Sequence, residues 1–309
     1  MRFAGHNGIS SLHNQELLAP VSIGLQANLT HKSSHNQANM TTPALILAAG
    51  RGERMRPLTD VLPKPLLQVR GKALIDWHVQ ALALGGFTRL VVNTAWLGGQ
   101  ISAHFKRQIS HEIQHQTDLQ PNQSGREQLS ISYSHEGVDF GAALETAGGI
   151  ARALPLLALP DRGSGGDRGN GGKGAFWVLA GDVYAPDFAF TQSAVDRFTA
   201  SGKLAHLWLV PNPAHNLKGD FGLDNQGLAL NLPKDSANSA QPRYTFSTIA
   251  LYRPAFFNSL PYGNPAGVKA PLAPLLRAAM DNQQVSAELS TGAWTDVGTP
   301  ERLAQLNRT

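Results

Sequence analysis

The densest chemistry in the chain lies in Leu47-Ala48-Ala49-Gly50-Arg51-Gly52-Glu53-Arg54-Met55-Arg56-Pro57-Leu58-Thr59. Glycines let a backbone come close to a phosphate chain and turn N–H groups toward it. Arg51, Arg54 and Arg56 add fork-shaped cationic donors. The dinucleotide fingerprint G-x-G-x-x-G is not met, because Met55 stands at the third glycine position. Further on, Pro63-Lys64-Pro65-Leu66 places one ammonium between two stiffening prolines. Two aspartates sit at strand ends: Asp182, after Gly181, and Asp296, in Trp294-Thr295-Asp296-Val297-Gly298-Thr299, whose first four residues read as a last strand. A carboxylate in such a place is costly unless it is paired, hydrated or bound to a cation. The chain has no cysteine, so a hard, oxygen-seeking ion suits these two, and Mg²⁺ is the natural one beside phosphates. Taken singly, Lys64 also reads as a loop lysine and either aspartate as a cap or turn residue.

These groups need strands to carry them. Residues 44–49 are a continuous apolar run stopped by Gly50, the pattern of a buried parallel strand. Leu74, Trp77, Ala81 and Leu84 recur at helical spacing, and Gly85-Gly86 ends that helix. Residues 90–93, 129–133 and 176–180 read as further strands, with Ile101 and Phe105 marking a helix between the first two. Segment 50–65 reads as a polar loop. Strand alternating with helix implies an α/β chain with a doubly wound, Rossmann-like sheet that presents ligands at the carboxyl ends of its strands. Beyond Asp182 the chain turns β-rich: strands at 204–210 and 243–252, and a hairpin around Asp224-Asn225-Gln226-Gly227. Leu272, Leu275, Leu276 and Ala279 mark a helix, and Thr299 caps a last one with Pro300 at its first position.

Composition narrows the class. The chain has 309 residues, of which 42% are hydrophobic and 16% charged, with a net charge of +4. It can build a large core, which excludes a disordered or fibrous protein. No Lys/Arg cluster marks a nucleic-acid surface, and no apolar run approaches a membrane span of roughly 18 residues. The absence of cysteine fits a cytoplasmic protein. Residues 1–40 read as a disordered tail, and 41–309 as the working domain. Low-complexity insertions at about 110–128 and 161–174 read as solvated excursions. His111 and His115 in the first have the i, i+4 spacing of a metal pair but no apolar scaffold. Gly172-Lys173 in the second is followed by Gly174, not by Ser or Thr, so it is no phosphate loop.

Together these strings resemble the sugar-phosphate nucleotidyltransferase family, from about Thr41 onward and leaving out the two insertions. Further support comes from Asn93-Thr94-Ala95-Trp96-Leu97-Gly98, Leu144-Glu145-Thr146-Ala147-Gly148-Gly149-Ile150, Pro211-Asn212-Pro213, Gly219-Asp220-Phe221 and Lys269-Ala270-Pro271-Leu272. The resemblance implies that family's mixed sheet with a small β-rich sugar-binding part. It implies transfer of a nucleotidyl group from a nucleoside triphosphate, UTP favoured, to a sugar 1-phosphate, N-acetylmuramate 1-phosphate favoured, with Mg²⁺ as cofactor. No obligate protein partner is implied. Ala48, Ala49, Gly50, Gly52, Glu53, Arg54 and Lys64 would hold the triphosphate, with Arg54 and Lys64 catalytic. Glu145, Thr146 and Glu136 would contact the base. Asp182 and Asp296 would hold the metal. Ala180 and Asp220 would line the sugar site; Lys218, beside Gly219-Asp220, is the candidate to face the sugar's carboxylate, and it also reads as a solvated surface lysine. Two residues depart from the family pattern: Ala180, where near relatives often carry Asn, and Thr248, where Gly is common. Segment 138–143 also lengthens the base-reading loop. Mannose 1-phosphate guanylyltransferase and glucose 1-phosphate thymidylyltransferase are rival activities. A catalytically silent nucleotide-sugar-binding subunit is the rival of another class, and it should lack one of Arg54, Lys64, Asp182 and Asp296, all of which are present.

Overall fold

Strand β1 (Ala44–Ala48) is the centre around which the chain winds. The structure, a computed structural model, describes residues 42–117, 128–158, 174–232 and 241–308, with the side chains of 108–117 outside that description. All of these residues belong to the unit Met40–Thr309. The predicted tail at 1–40 lies outside the described residues, as does nearly all of the insertion at 161–174.

After β1 come a 3-10 turn (Glu53–Met55), α1 (Leu58–Val61) and a second 3-10 turn (Lys64–Leu66). The expected polar loop at 50–65 is therefore largely made of tight helical turns. A small hairpin of β2 (Gln68–Val69) and β3 (Lys72–Ala73) leads into α2 (Leu74–Leu84), then β4 (Arg89–Thr94), α3 (Gly98–Thr117) and β5 (Ser130–His135). Next follow α4 (Glu136–Phe140), α5 (Glu145–Leu157), β6 (Phe176–Ala180), β7 (Val183–Tyr184), α6 (Gln192–Ser201), β8 (Ala205–Val210), β9 (Phe221–Leu223) and β10 (Ala229–Leu230). The chain closes with β11 (Arg243–Tyr252), α7 (Leu272–Asp281), β12 (Val285–Leu289), β13 (Thr295–Asp296) and α8 (Pro300–Leu306).

Strands β5, β4, β1 and β6 lie side by side, all parallel. β11 runs antiparallel to β6 and continues to β8, which carries β12 parallel at its far side. The lower half of β11 takes the β9–β10 hairpin. The winding leaves β1 toward β4 on one side and returns to β6 on the other, so the carboxyl ends of β1 and β6 form a topological switch point.

β1 is apolar on both faces because both are covered. Ala44, Ile46 and Ala48 pack with Ile75, Val79 and Leu82 of α2, Ile101 and Phe105 of α3, and Val195 and Phe198 of α6. Leu45 packs on the other face with Ile150 and Leu154 of α5 and Leu276 of α7. A third cluster of Met55, Leu67, Val69, Leu74, Tyr184 and Val297 lies beneath the loops.

The sequence reading needs one correction at the first insertion. The helix begun at Ile101 does not stop before 110; α3 carries on through Thr117, because no Gly or Pro interrupts 110–117. The side chains of His111 and His115 lie outside the described residues.

Candidate active site

β1 delivers its loop to the switch point. Gly52 has φ 68°, and a Cβ there would lie 3.1 Å from Thr59 Cγ2 and 3.3 Å from Lys64 Cβ. Only glycine meets both conditions. Gly50, by contrast, faces open space. Thr59 Oγ1 donates to Gly52 O at 2.8 Å, and Trp96 Nε1 donates to Thr59 O at 2.8 Å. The Trp96 ring also carries the Arg51 guanidinium, 4.3 Å above it. Met55 is fully buried in the third cluster. The residue that breaks the dinucleotide fingerprint is thus the apolar anchor of this loop, and its burial contributes about 2 kcal/mol.

The loop forms one wall of a cleft of about 430 Å³, lined by Leu47, Ala48, Gly50–Met55, Lys64, Pro65, Asp182 and Gly298. Arg54 is exposed there and makes no ion pair among the described residues. Glu53 lines it too, but its carboxylate is 75% exposed and lies 4.0 Å from Arg51. A carboxylate has the wrong sign for phosphate, so what Glu53 can offer a phosphate is its backbone. Ala49 is buried and likewise has only backbone to give.

Lys64 crosses the cleft floor. Its side chain is 8% exposed, and Nζ donates to Asp182 Oδ2 at 2.5 Å. Beneath, buried His78 donates Nε2–H to Val183 O at 2.8 Å. Burial pushes the His78 pKa down to about 4 and leaves the ring neutral at neutral pH. β13 pairs with β7 so that Asp296 sits opposite Val183, and Val297 N–H donates to Asp182 O at 3.1 Å. Of the two predicted metal carboxylates, Asp296 is therefore on β13 and Asp182 is in the turn just before its partner strand β7. Asp296 does not line the cleft; Arg302 Nη1 donates to its Oδ2 at 2.9 Å, and His215 Nε2 is 3.6 Å from the same oxygen. The donor set fits Mg²⁺, which keeps much of its water and takes one or two carboxylates plus substrate phosphates. No group of three or more His, Asp or Glu that could enclose a metal occurs among the described residues. Sequence reasoning missed Arg302 and His215. The signal for Arg302 was its place in the capped turn, where its backbone N–H donates to Thr299 Oγ1.

The base-reading prediction needs a correction. Glu136 is fully buried and does not face the cleft. Asn93 Nδ2 donates to its Oε1 at 2.5 Å, and Leu144 N–H donates to its Oε2 at 2.8 Å. Asn93 Oδ1 in turn accepts from Ala48 N–H at 2.7 Å. Burial raises the Glu136 pKa against the opposing pull of these donors. The lengthened loop is also more ordered than expected: it forms α4, fastened to α5 where Arg152 Nη2 donates to Asp139 Oδ2 at 2.7 Å. Glu145 and Thr146 are exposed at the start of α5, outside the cleft lining. Glu145 holds φ 59°, a strain of about 1 kcal/mol or more for a non-glycine residue.

On the sugar side, Ala180 ends β6 beside Leu47 of β1. Asp220 is half-buried; its Oδ2 accepts from Phe246 N–H at 2.9 Å and its Oδ1 from Asn216 Nδ2 at 3.3 Å, tying its loop to β11. Lys218 is exposed. None of the three lines the cleft. Thr248 lies at φ 67° where the β11–β8 register shifts. A left-handed backbone at this bulge is the physical reason to expect glycine there.

A switch-point cleft joining a glycine–arginine loop to a lysine–aspartate pair defines a nucleotidyltransferase, and the chain belongs to the nucleotidyl transferase family, whose model matches residues 43–309. It is 42% identical over 266 residues to the N-acetylmuramate alpha-1-phosphate uridylyltransferase of Neisseria meningitidis serogroup B, covering 85% of this chain and 95% of that protein. It is 25% identical over 265 residues to a UTP–glucose-1-phosphate uridylyltransferase of Synechocystis, covering 82% of this chain and 60% of that longer protein. Among solved structures, a Bacillus anthracis chain assigned as a glucose-1-phosphate thymidylyltransferase superposes with a TM-score of 0.61 at 20% identity, over 86% of this chain and 94% of that one. That likeness is one of fold. Among the described residues, no helix is long and apolar enough to cross a membrane.

Proposed function

We propose that this enzyme transfers the uridylyl group of UTP to N-acetylmuramate 1-phosphate, giving UDP-N-acetylmuramate and pyrophosphate. One observation carries the reaction class: the Gly50–Arg54 loop faces Lys64 and Asp182 across a single cleft. The choice of UTP and of the sugar rests on the likeness to the Neisseria enzyme.

In this reading a phosphate oxygen of the sugar 1-phosphate attacks the α-phosphorus in line. The bond from that phosphorus to the bridging oxygen breaks, and pyrophosphate leaves with the electron pair. The nucleophile is already an anion, so the main barrier is bringing two charged phosphates together. Arg54 neutralises the triphosphate from the loop, and Lys64 holds the transferred phosphate from the floor. Backbone N–H groups of 49–53 cradle the β- and γ-phosphates, the Ala48 N–H being taken by Asn93 Oδ1. Asp182 and Asp296 would hold Mg²⁺, which when bound spreads the phosphate charge and aligns the displacement. Glu145 and Thr146 meet the base, while Ala180, Asp220 and Lys218 flank the sugar. Residues 43–309, the span of the family match, are the catalytic unit. The test is pyrophosphate release from four nucleoside triphosphates against a panel of sugar 1-phosphates. UTP with N-acetylmuramate 1-phosphate should give the highest kcat/KM. A preference for GTP with mannose 1-phosphate would refute the substrate assignment, and no release from any pair would refute the activity.

A further inference from the structure

We infer that Glu136 is a positioning residue: its buried carboxylate is a strut that fixes the base-reading turn against the phosphate loop. This rests on the nucleotidyl-transfer reading of the site. Four groups form one unbroken chain: Ala48 N–H to Asn93 Oδ1, Asn93 Nδ2 to Glu136 Oε1, and Leu144 N–H to Glu136 Oε2. One end is the start of the phosphate loop. The other is the residue just before Glu145-Thr146. All four members are at most 3% exposed, so no water replaces a lost partner. The packing is closed as well: a Cβ on Gly149 would lie 2.5 Å from Glu136 Oε1 and 2.9 Å from Asn93 Nδ2.

The polarity of this chain cannot be reversed. Both ends are backbone N–H donors, so the two middle side chains must offer an acceptor to each and still bond to one another. One amide and one carboxylate satisfy this; two amides do not. In E136Q, either the introduced amide turns its amino group toward that of Asn93, or Asn93 flips and faces Ala48 N–H with a donor. In N93D/E136Q the two chemistries change places. The introduced carboxylate accepts from Ala48 N–H and from the introduced amide, and the oxygen of that amide accepts from Leu144 N–H. The net charge is unchanged, and the double exchange restores every bond.

The phosphate loop has its own support in Thr59 and Trp96, so breaking the strut should misplace the base-reading turn and leave the phosphate cradle in place. The experiment measures dissociation constants of UTP, of ATP, CTP and GTP in parallel, and of inorganic tripolyphosphate, for wild type and the three variants. For the triphosphate that wild type binds best, E136Q should weaken binding roughly 10- to 100-fold, the cost of one unsatisfied buried donor. Its tripolyphosphate affinity should stay within roughly 3-fold, and N93D/E136Q should return within roughly 3-fold of wild type for both ligands. N93D alone buries two facing carboxylates and should also lose nucleotide affinity. Equal weakening of both ligands in E136Q, unchanged nucleotide binding, or a double variant no better than the singles would each overturn the strut. If E136Q does not fold, recovery in N93D/E136Q decides. A wild type that prefers a base other than uracil contradicts the uridylyl reading while the variant comparison still tests the strut.

Discussion

Lys64 and Asp182 share one ion pair, yet removing either partner should not cost the same. The ammonium is 8% exposed and the carboxylate 35% exposed, at 2.5 Å. At an effective dielectric of about 20, the gross attraction at such a distance is about 7 kcal/mol. For a fully buried pair, losing one partner costs about 3–5 kcal/mol, because the survivor is stranded. Here the survivors differ. In K64M, Asp182 is left with a third of its surface open to water and rehydrates, while Met keeps the apolar stem of Lys64 packed. The expected loss is at most about 1 kcal/mol. In D182N, the ammonium keeps a neutral acceptor but has little access to water, and the expected loss is about 2 kcal/mol. The assay is urea unfolding of the ligand-free protein at pH 7, followed by tryptophan fluorescence and far-ultraviolet circular dichroism. The D182N midpoint should lie about 0.5 M below that of K64M. Both variants should remain cooperative and lose about 10²–10³-fold in kcat. K64M unfolding at equal or lower urea than D182N would refute the reasoning from exposure.

Other outcomes follow from the same geometry. The pKa of His78 is near 4 when folded and 6.5 when unfolded. The unfolded chain therefore binds more protons between those values, and stability should fall by on the order of 3 kcal/mol as pH drops from about 6.5 to about 4. His206, also lowered to about 4 by burial, acts in the same direction. H78Q should flatten the melting temperature profile over this window, and an unchanged profile would count against the burial argument. T248G should relieve a strain of about 1–3 kcal/mol at the cost of about 0.5–1 kcal/mol in backbone entropy. A net gain of about 1 kcal/mol in urea unfolding is expected on those figures, and a loss would mean that the threonine side chain stabilises the bulge. Chelating divalent ions with EDTA should stop turnover and Mg²⁺ should restore it, while D296A should stay inactive at saturating Mg²⁺. Lys218→Ala should raise KM for N-acetylmuramate 1-phosphate more than for N-acetylglucosamine 1-phosphate, which lacks the carboxylate; equal effects would remove Lys218 from the sugar site.

What could be read in the chain beforehand follows from where the information is local. β1 and β6 are short apolar runs ended by glycine, and each emerged where that pattern places it, β6 at the predicted residues 176–180. Thr299-Pro300 is a helix start in any context and capped α8. Other features depend on partners distant in sequence. Glu136 looks like a surface carboxylate until Asn93 and Leu144 close over it. α5 was hidden because Gly148 and Gly149 are poor helix formers. They are tolerated because backbone and side-chain atoms sit where a Cβ would be. β12 is a half-polar strand whose identity comes from pairing with β8. β13 lies inside the predicted last strand at 294–297. The two-residue β7 has too little sequence to announce itself, yet its pairing with β13 sets Asp296 opposite Val183, next to Asp182.

The central claim is that the α-phosphorus is transferred intact to the sugar phosphate. Incubating the protein with Mg²⁺, N-acetylmuramate 1-phosphate and UTP labelled at the α-phosphate tests it directly. The label should appear in a nucleotide sugar, with one pyrophosphate released per label transferred. Label found as free uridine monophosphate, or a γ-labelled UTP that passes its phosphate to the sugar, would contradict it.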